Sequence, residues 1–535
     1  MVHPVPQAGL FTRTLPWAAG LLLLGLAAPL ASGQTVNFRA PRVRVTVPLN
    51  STNTTVITNW VDVADLGGVP VNFEVTGLPG GAGYALTDTN GAPLLATLED
   101  TNLCLTLYTT NLAEGEYTFS LNGTGGATNS VLLVLQAAHV WNGALAVAGP
   151  WSAAGNWLEG VPGPSSDVVF GDFGSQTNNF TNSIVDTDTT IASLRFAQTG
   201  LLQEEGTRRT THTVQIATGK TLAVTGSKGF RLLRDYLSDN SPNTDFPTLY
   251  PLNVNIVGTN ATLLVSNEAA NVALTIEAQT AHTLDLSGLS RFVARVDRVG
   301  LGDYSLYPNF WNYDANGYNG VPRRFIPSVN FARTNLITAL YADPNNYTNS
   351  EARLYSLTFV NSVYSGTTAI PVWNLGVTNA FFADSVCLVG ANQQGRVQFN
   401  PAFATNTACF AYFRNTNGGR MSMFAISDEA GTNYGSSNIK SFIDFGSNGG
   451  SVDILTDRFY MTRDRKLLNG DPNFQGQLYM GKGIIDANTA ILGYQEFTGR
   501  STNTAVYRGY CQASITVSNT AVFKVNDTLE LGYAT

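Results

Sequence analysis

HVWNGALAVAGPWSAAGNWLEGVPGPSSDVVF, residues 139–170, gathers three of the chain's seven tryptophans among Gly, Pro and Asn. Trp141, Trp151 and Trp157 are followed by the turn Val161-Pro162-Gly163-Pro164 and then by Asp167-Val168-Val169-Phe170, a short strand with an acid at its mouth. Indoles carry large apolar surfaces that a chain in water buries. A repetitive β-structure with an uncovered first turn would expose both apolar interior and unpaired backbone groups. The stretch therefore reads as an entrance cap, with Trp141, Trp151, Trp157 and Asp167 as its structural residues, at the start of a long solenoid.

Downstream, from about residue 180, short β-branched runs recur every 8 to 15 residues, each closed by Gly, Asn or Ser. Thr213-Val214-Gln215-Ile216, Thr221-Leu222-Ala223-Val224, Leu263-Leu264-Val265 and Leu274-Thr275-Ile276 are examples, and no long window has helical spacing. Three such strands with their turns predict a rung of about 20 to 30 residues. His212-Thr213-Val214-Gln215-Ile216 and His282-Thr283-Leu284-Asp285-Leu286 read as near-copies, and Ile256–Asn260 and Leu375–Asn379 as looser ones. Strand character persists to Leu529-Glu530-Leu531, so residues 171–535 are expected to form a parallel β-helix that continues past residue 535.

Upstream, residues 35–137 alternate in a different rhythm, with Val43–Val47, Val71–Val75 and Leu103–Leu107 separated by close-set Gly, Pro and Asn turns. That pattern predicts a small antiparallel sandwich of about 100 residues. Residues 1–33 read as a secretory signal: Arg13, an apolar core from Trp17 to Leu30, then the small residues Ala31-Ser32-Gly33. The core is shorter than the ~20 residues of a membrane span, and no later segment is apolar enough for one. The expected location is thus secreted or cell-surface, with no transmembrane span after cleavage.

Trp141-Asn142-Gly143, Asn156-Trp157, Val161-Pro162 and Asp167–Phe170, with the later phrases Gly219–Gly226 and Thr283–Leu289, resemble secreted bacterial passenger proteins of the autotransporter-like β-helix type. Thr76–Gly80 and Glu114–Leu121 resemble bacterial Ig-like domains, in which Tyr117 would tie its hydroxyl to a loop. The resemblance implies an all-β chain, an N-terminal Ig-like β-sandwich followed by a right-handed parallel β-helix. It implies no active site, because such families are defined by their scaffold.

Composition narrows function further. The chain has 38 acids and 30 bases, net −8, and removal of the signal with its one arginine leaves 29 bases against 38 acids, or −9. No Lys/Arg cluster exceeds pairs such as Arg208-Arg209, which excludes the basic stripe of a nucleic-acid binder. Cys104, Cys387, Cys409 and Cys511 form neither a disulfide framework nor a zinc motif. Cys387 and Cys409, 22 residues apart, are spaced to stack on adjacent rungs, as buried thiols or as a disulfide.

His139, His212 and His282 sit in no nucleophile or metal motif, and there is no nucleophile elbow. Asp186-Thr187-Asp188 has Ca²⁺-ligand chemistry but equally the composition of a polar turn, so no cofactor is implied. One segment breaks the solenoid rhythm, running from Asp303 through the aromatic stretch to Arg324. Tyr304, Tyr307, Trp311, Tyr313, Asp314 and Arg323 combine stacking faces with hydrogen-bonding groups, as a glycan site does, although burial of the rings against the solenoid wall explains them too. The sequence thus points to a non-catalytic adhesive or structural scaffold for a glycan, matrix or cell-surface partner. A β-helix polysaccharide lyase or glycoside hydrolase, whose hydrolytic form needs two placed carboxylates, and an exported autotransporter passenger fragment are the alternatives.

Overall fold

Residues of period-two alternation fill nearly every segment, and the computed structural model is accordingly built of strands. It describes residues 35–38, 42–49, 54–58, 61–64, 72–87, 104–109, 111–124, 129–143, 148–200, 203–204, 206–233, 252–266, 273–276, 282–296, 298–301, 328–340, 356–360, 372–389, 394–404, 408–429, 439–447, 449–464, 473–495 and 510–532. Among these the only helical pieces are the single turns Ala154–Asn156 and Pro401–Ala404. The fold is all-β and mostly parallel, and its pairing is compatible with a solenoid.

Parallel pairing sorts the strands after residue 139 into three columns. The first column stacks Gly149–Pro150, Ser183–Val185, Thr211–Ile216, 252–257, His282–Asp285, Ser328–Asn330, Val372–Leu375, Gln394–Phe399, Ile439–Asp444, 473–480 and 510–517. The second runs from 189–191 through 221–224, 262–266, Leu289–Val296, Thr334–Ala339, Thr378–Ala383, Phe410–Arg414, 451–454 and 482–487 to 520–525. The third begins at 139–140 and Asp167–Phe170 and reaches 528–531. Successive coils visit the columns in the same order, so each strand hydrogen-bonds to the coils before and after it.

Alternation then decides what lies inside. In the first column Val254, Leu284, Val329, Trp373, Val397, Ile443 and Leu478 are consecutive partners, and all are buried. The second stacks Val265, Ala294, Ile337, Phe381, Phe413 and Ile454, with the Phe381 and Phe413 rings stacked at 4.8 Å. These rows join one apolar cluster that extends from Trp141 to Ala490 and takes in Phe523 and Val525. Two asparagines interrupt it. Asn335 and Asn379 occupy an inward row otherwise held by Leu263, Phe292, Ala411 and Val452.

Their amides are almost fully satisfied, as burial demands. Asn335 Nδ2 donates to Asn379 Oδ1 at 2.9 Å and to the Ala332 carbonyl at 2.7 Å. Asn379 Nδ2 donates to the carbonyls of Gly376 and Phe410, and its Oδ1 accepts from Gly376 N at 2.9 Å. A Cβ on Gly376 would fall 1.8 Å from the Ala332 carbonyl oxygen, so glycine there lets two coils approach.

Before the columns, Arg42–Pro48, Asn129–Val140, Gly115–Thr124 and Asn72–Thr76 form one sheet, and Thr54–Thr58, Cys104–Tyr108 and Gly83–Thr87 a second. Both sheets contribute to one core, with Leu105 and Leu107 facing Val47, Phe119, Leu121 and Leu135. Tyr117 Oη donates to the Ala113 carbonyl at 2.9 Å, tying the ring to the loop four residues upstream. Strand Asn129–Val140 crosses between the two regions without a break: 132–138 pair with Arg42–Pro48, and 139–140 pair with 168–169.

Three sequence expectations change. The chain length per coil is uneven and mostly above 20 to 30 residues: partners Trp373 and Val397 are 24 apart, but Val397 and Ile443 are 46 apart. His212 and His282 both lie at the start of first-column strands yet differ in register by two, because His212 pairs with Val254 and His282 with Leu252. A shift of two preserves the inward and outward faces, so alternation alone does not fix it. Cys387 stacks on Ala425 in the third column, whereas Cys409 precedes the second-column strand Phe410–Arg414, so the two do not stack and both are thiols. The looser near-copy holds only at its start: the row Asn255, Asp285, Asn330 and Asn374 makes Ile256 and Leu375 equivalent, but Thr378 and Asn379 fall in the rows of Thr262 and Leu263, not of Thr259 and Asn260.

Candidate binding face

The tryptophan segment folds where the first coil begins. Trp141, Trp151 and Trp157 are 0%, 1% and 3% exposed, packed edge-to-face at 5.0 and 5.2 Å and laid against Phe170. Trp157 Nε1 donates to the Trp151 carbonyl at 2.9 Å, whereas the indole N–H groups of Trp141 and Trp151 have no acceptor among the described residues. Gly174, at φ +69, passes so close to Trp141 that a Cβ would sit 2.9 Å from the indole. Asp167, at the mouth of its strand, accepts from Ser193 Oγ at 2.5 Å and pairs with Lys228. All four residues thus face the interior or the seam between the two regions.

Two carboxyls at that seam have shifted titrations. Burial pushes the Glu159 carboxyl up to about 7; the Val140 N–H that it accepts at 2.8 Å and the nearby His139 pull the other way, and Glu114 adds to the rise. Glu114 in turn contacts His139 Nδ1 at 3.1 Å and accepts from the Asp167 backbone N–H. Glu116 pairs with Arg231 at 3.3 Å and is held below the usual carboxylate range by Arg231, Arg44, Arg195 and Lys228, against an opposing burial effect.

His212 is fully buried, and burial drives its pKa down to about 4. Asn182 Nδ2 donates to its Nδ1 at 2.7 Å, which places the proton on Nε2, where it is donated to the Gly171 carbonyl at 2.7 Å. It is therefore a neutral packing histidine set edge-on to Phe170. Asp186 and Asp188 are engaged by Ser152 and by Thr221 N, linking neighbouring coils. Among the described residues no group of three or more His, Cys, Asp or Glu has the geometry to hold a metal ion. No helix among them is long and apolar enough to cross a membrane.

Tyr304, Tyr307, Trp311, Tyr313, Asp314 and Arg323 lie outside the described residues. A different set of aromatics comes together on the outside of the second column. In Phe410-Ala411-Tyr412-Phe413-Arg414 the inward positions are Ala411 and Phe413, which leaves Phe410, Tyr412 and Arg414 on the outer side. Phe382 occupies the outer position of the preceding coil, in register with Arg414. Ring centroids of Phe382 and Tyr412 are 5.9 Å apart, and those of Phe410 and Tyr412 6.3 Å. Phe410 is 36% exposed.

Arg414 locks this patch. Its guanidinium lies 4.1 Å from the Tyr412 ring centre, Nη2 meets Asp453 Oδ2 at 2.7 Å, and Nη1 donates to the Phe413 and Asp453 carbonyls. A cation on a ring face, held by an ion pair and two carbonyls, fixes the ring's orientation. Thr378 and Ala380 are the register neighbours of Phe410 and Tyr412, and Thr334 in the one row and Leu336, Val293 and Leu264 in the other continue those outer rows over the preceding coils. The signal was present in the sequence: FAYFR has no polar residue at two of its three outward positions, which a strand with one solvated face does not require.

No family model, curated protein or solved structure matches the chain.

Proposed function

We propose that the protein is a secreted, non-catalytic adhesive scaffold: an Ig-like sandwich joined through a tryptophan cap to a right-handed parallel β-helix. The observation that carries the reading is the unbroken stacking of the three columns over one apolar interior. Backbone pairing between coils gives a stiff rod with few charges and no cofactor, suited to life outside the cell. Its outer rows, freed from packing, present side chains to partners, and the aromatic patch around Tyr412 supports a glycan or matrix partner. The cap role of Trp141, Trp151 and Trp157 accords with their burial beneath the first coil.

The test is a binding screen of the secreted chain on glycan and matrix-protein arrays, run beside reducing-sugar and unsaturated-product assays. Binding without turnover is expected. Turnover of a bound polysaccharide would overturn the scaffold reading in favour of a lyase or hydrolase. N-terminal sequencing of the exported protein should find it starting just after Gly33.

A further inference from the structure

The outer side of the second column has a charge pattern opposite to that of the chain. On its outward rows from coil 262–266 to coil 520–525 stand Arg291, Arg295, Arg414, Lys482 and Lys524 against only Asp453 and Asp486, in a protein of net charge −8. Both acids are already neutralised, Asp453 by Arg414 and Asp486 by Arg420 and Lys524. Arg291 and Lys482 are exposed, and neither has an ion-pair partner among the described residues.

The placement of these two cations about the aromatic patch is regular. Arg291 precedes the Phe382 coil by two coils, through Thr334 and Thr378. Lys482 follows the Phe410–Tyr412 coil by two, through Ser451. At the ~4.8 Å spacing of neighbouring strands, Lys482 lies about 10 Å and Arg291 about 14 Å along the column from the Phe410–Tyr412 coil, so the two are about 24 Å apart. Rings at the centre, hydroxyls of Thr334, Thr378 and Ser451 beside them and a cation at either end make a linear array.

We propose that this face binds a carboxylate-bearing polysaccharide laid along the column axis, sugar rings on Phe410 and Tyr412 and carboxylates on Arg291 and Lys482. Sugar C–H faces are apolar and pack on rings, the ring hydroxyls need donors and acceptors at their edge, and repeated carboxylates need cations at intervals. A second copy of the chain fits less well. Pairing two such faces about a twofold axis at the aromatic coils would set Arg291 and Arg295 opposite Lys482, a like-charge contact. The proposal rests on the adhesive-scaffold reading and specifies its ligand.

The test uses the full secreted chain with polygalacturonate and alginate as probes and dextran as the neutral control, followed by affinity electrophoresis and calorimetry. Two variants are compared, Phe410→Ala/Tyr412→Ala and Arg291→Glu/Lys482→Glu, the second altering only exposed side chains. The expected result is retention of the polyuronates over dextran, at least tenfold weaker binding in each variant, and weakening as salt rises from 50 to 500 mM. Unchanged affinity in both variants, or dextran bound as well as the uronates, would overturn the proposal while leaving a glycan-binding scaffold standing. Failure to retain either polyuronate overturns it as well, and adhesion of the wild type to other glycans or matrix then shows that the scaffold reading survives.

Discussion

Acid should loosen the first coils through a single side chain. His212 is buried and neutral, with its pKa lowered to about 4 from an ordinary 6.5. Between those values the unfolded chain binds a proton that the folded chain refuses, so stability is intact above pH 6.5 and falls as pH drops toward 4. The slope is about 1.4 kcal/mol per pH unit, or ~3 kcal/mol over the whole window. His212→Gln removes this titration while leaving a donor for the Gly171 carbonyl and an acceptor for Asn182. Its lost packing against Phe170 lowers stability at pH 7, but the variant should be flatter with pH. Urea denaturation of both proteins at pH 7.0 and 4.5, read by hydrogen exchange at amides 211–216 because stacked parallel strands open locally, should show the wild type losing about 2.5 kcal/mol more than the variant. Parallel losses, or an imidazole that titrates near 6.5 by NMR, would refute the argument.

Other outcomes follow from the same geometry. Glu159 has the opposite sign: its carboxyl is raised to about 7, so the folded chain holds a proton that the unfolded chain gives up above pH ~4.5, and seam stability falls as pH rises to 7. Glu159→Gln should match the wild type at pH 4 and exceed it by about 1 to 2 kcal/mol at pH 8 in thermal melts, a figure discounted for partial exposure. Trp151→Ala, which empties one side of the indole cluster, should cost ~3 to 5 kcal/mol and raise exchange at residues 183–186, with glycan binding unchanged. Asn379→Leu strands the Gly376 N–H and the Gly376 and Phe410 carbonyls, and should cost about 1 to 3 kcal/mol per orphaned group in chemical denaturation.

How far the sequence could be read depended on which physical constraint set each residue. Column interiors need only bulk and period two, so Val254, Leu284 and Val329 announce strands directly, and the clustered tryptophans announce their own burial. Coil length was not legible, because connections vary without disturbing the stacking: 24 residues separate Trp373 from Val397, and 46 separate Val397 from Ile443. Register slipped for the same reason, since His212 and His282 differ by two and a step of two leaves every face unchanged. Interior polarity was hidden too. Asn335 and Asn379 look like turn residues in the sequence, and only stacking shows each amide bonded to the coil beside it.

The candidate site was the hardest part to read, and the reason is the geometry of stacking. A site on a column's outer face takes one or two residues from each coil, so its members are spaced by whole coils. Phe382, Phe410 and Asp453 are 28 and 43 residues apart in sequence, yet they occupy three successive coils. No local motif can encode such a group. What a single strand does reveal is an outward residue that solvation alone would not select, and Tyr412 between Ala411 and Phe413 is one. The interior tolerates exchange among Leu, Ile, Val and Phe provided volume is kept, so side-chain identity at inward positions carries little functional information. Outward aromatics and cations are under no such constraint, which makes rows such as Arg291 to Lys482 the places where a repetitive fold can hold a specific function.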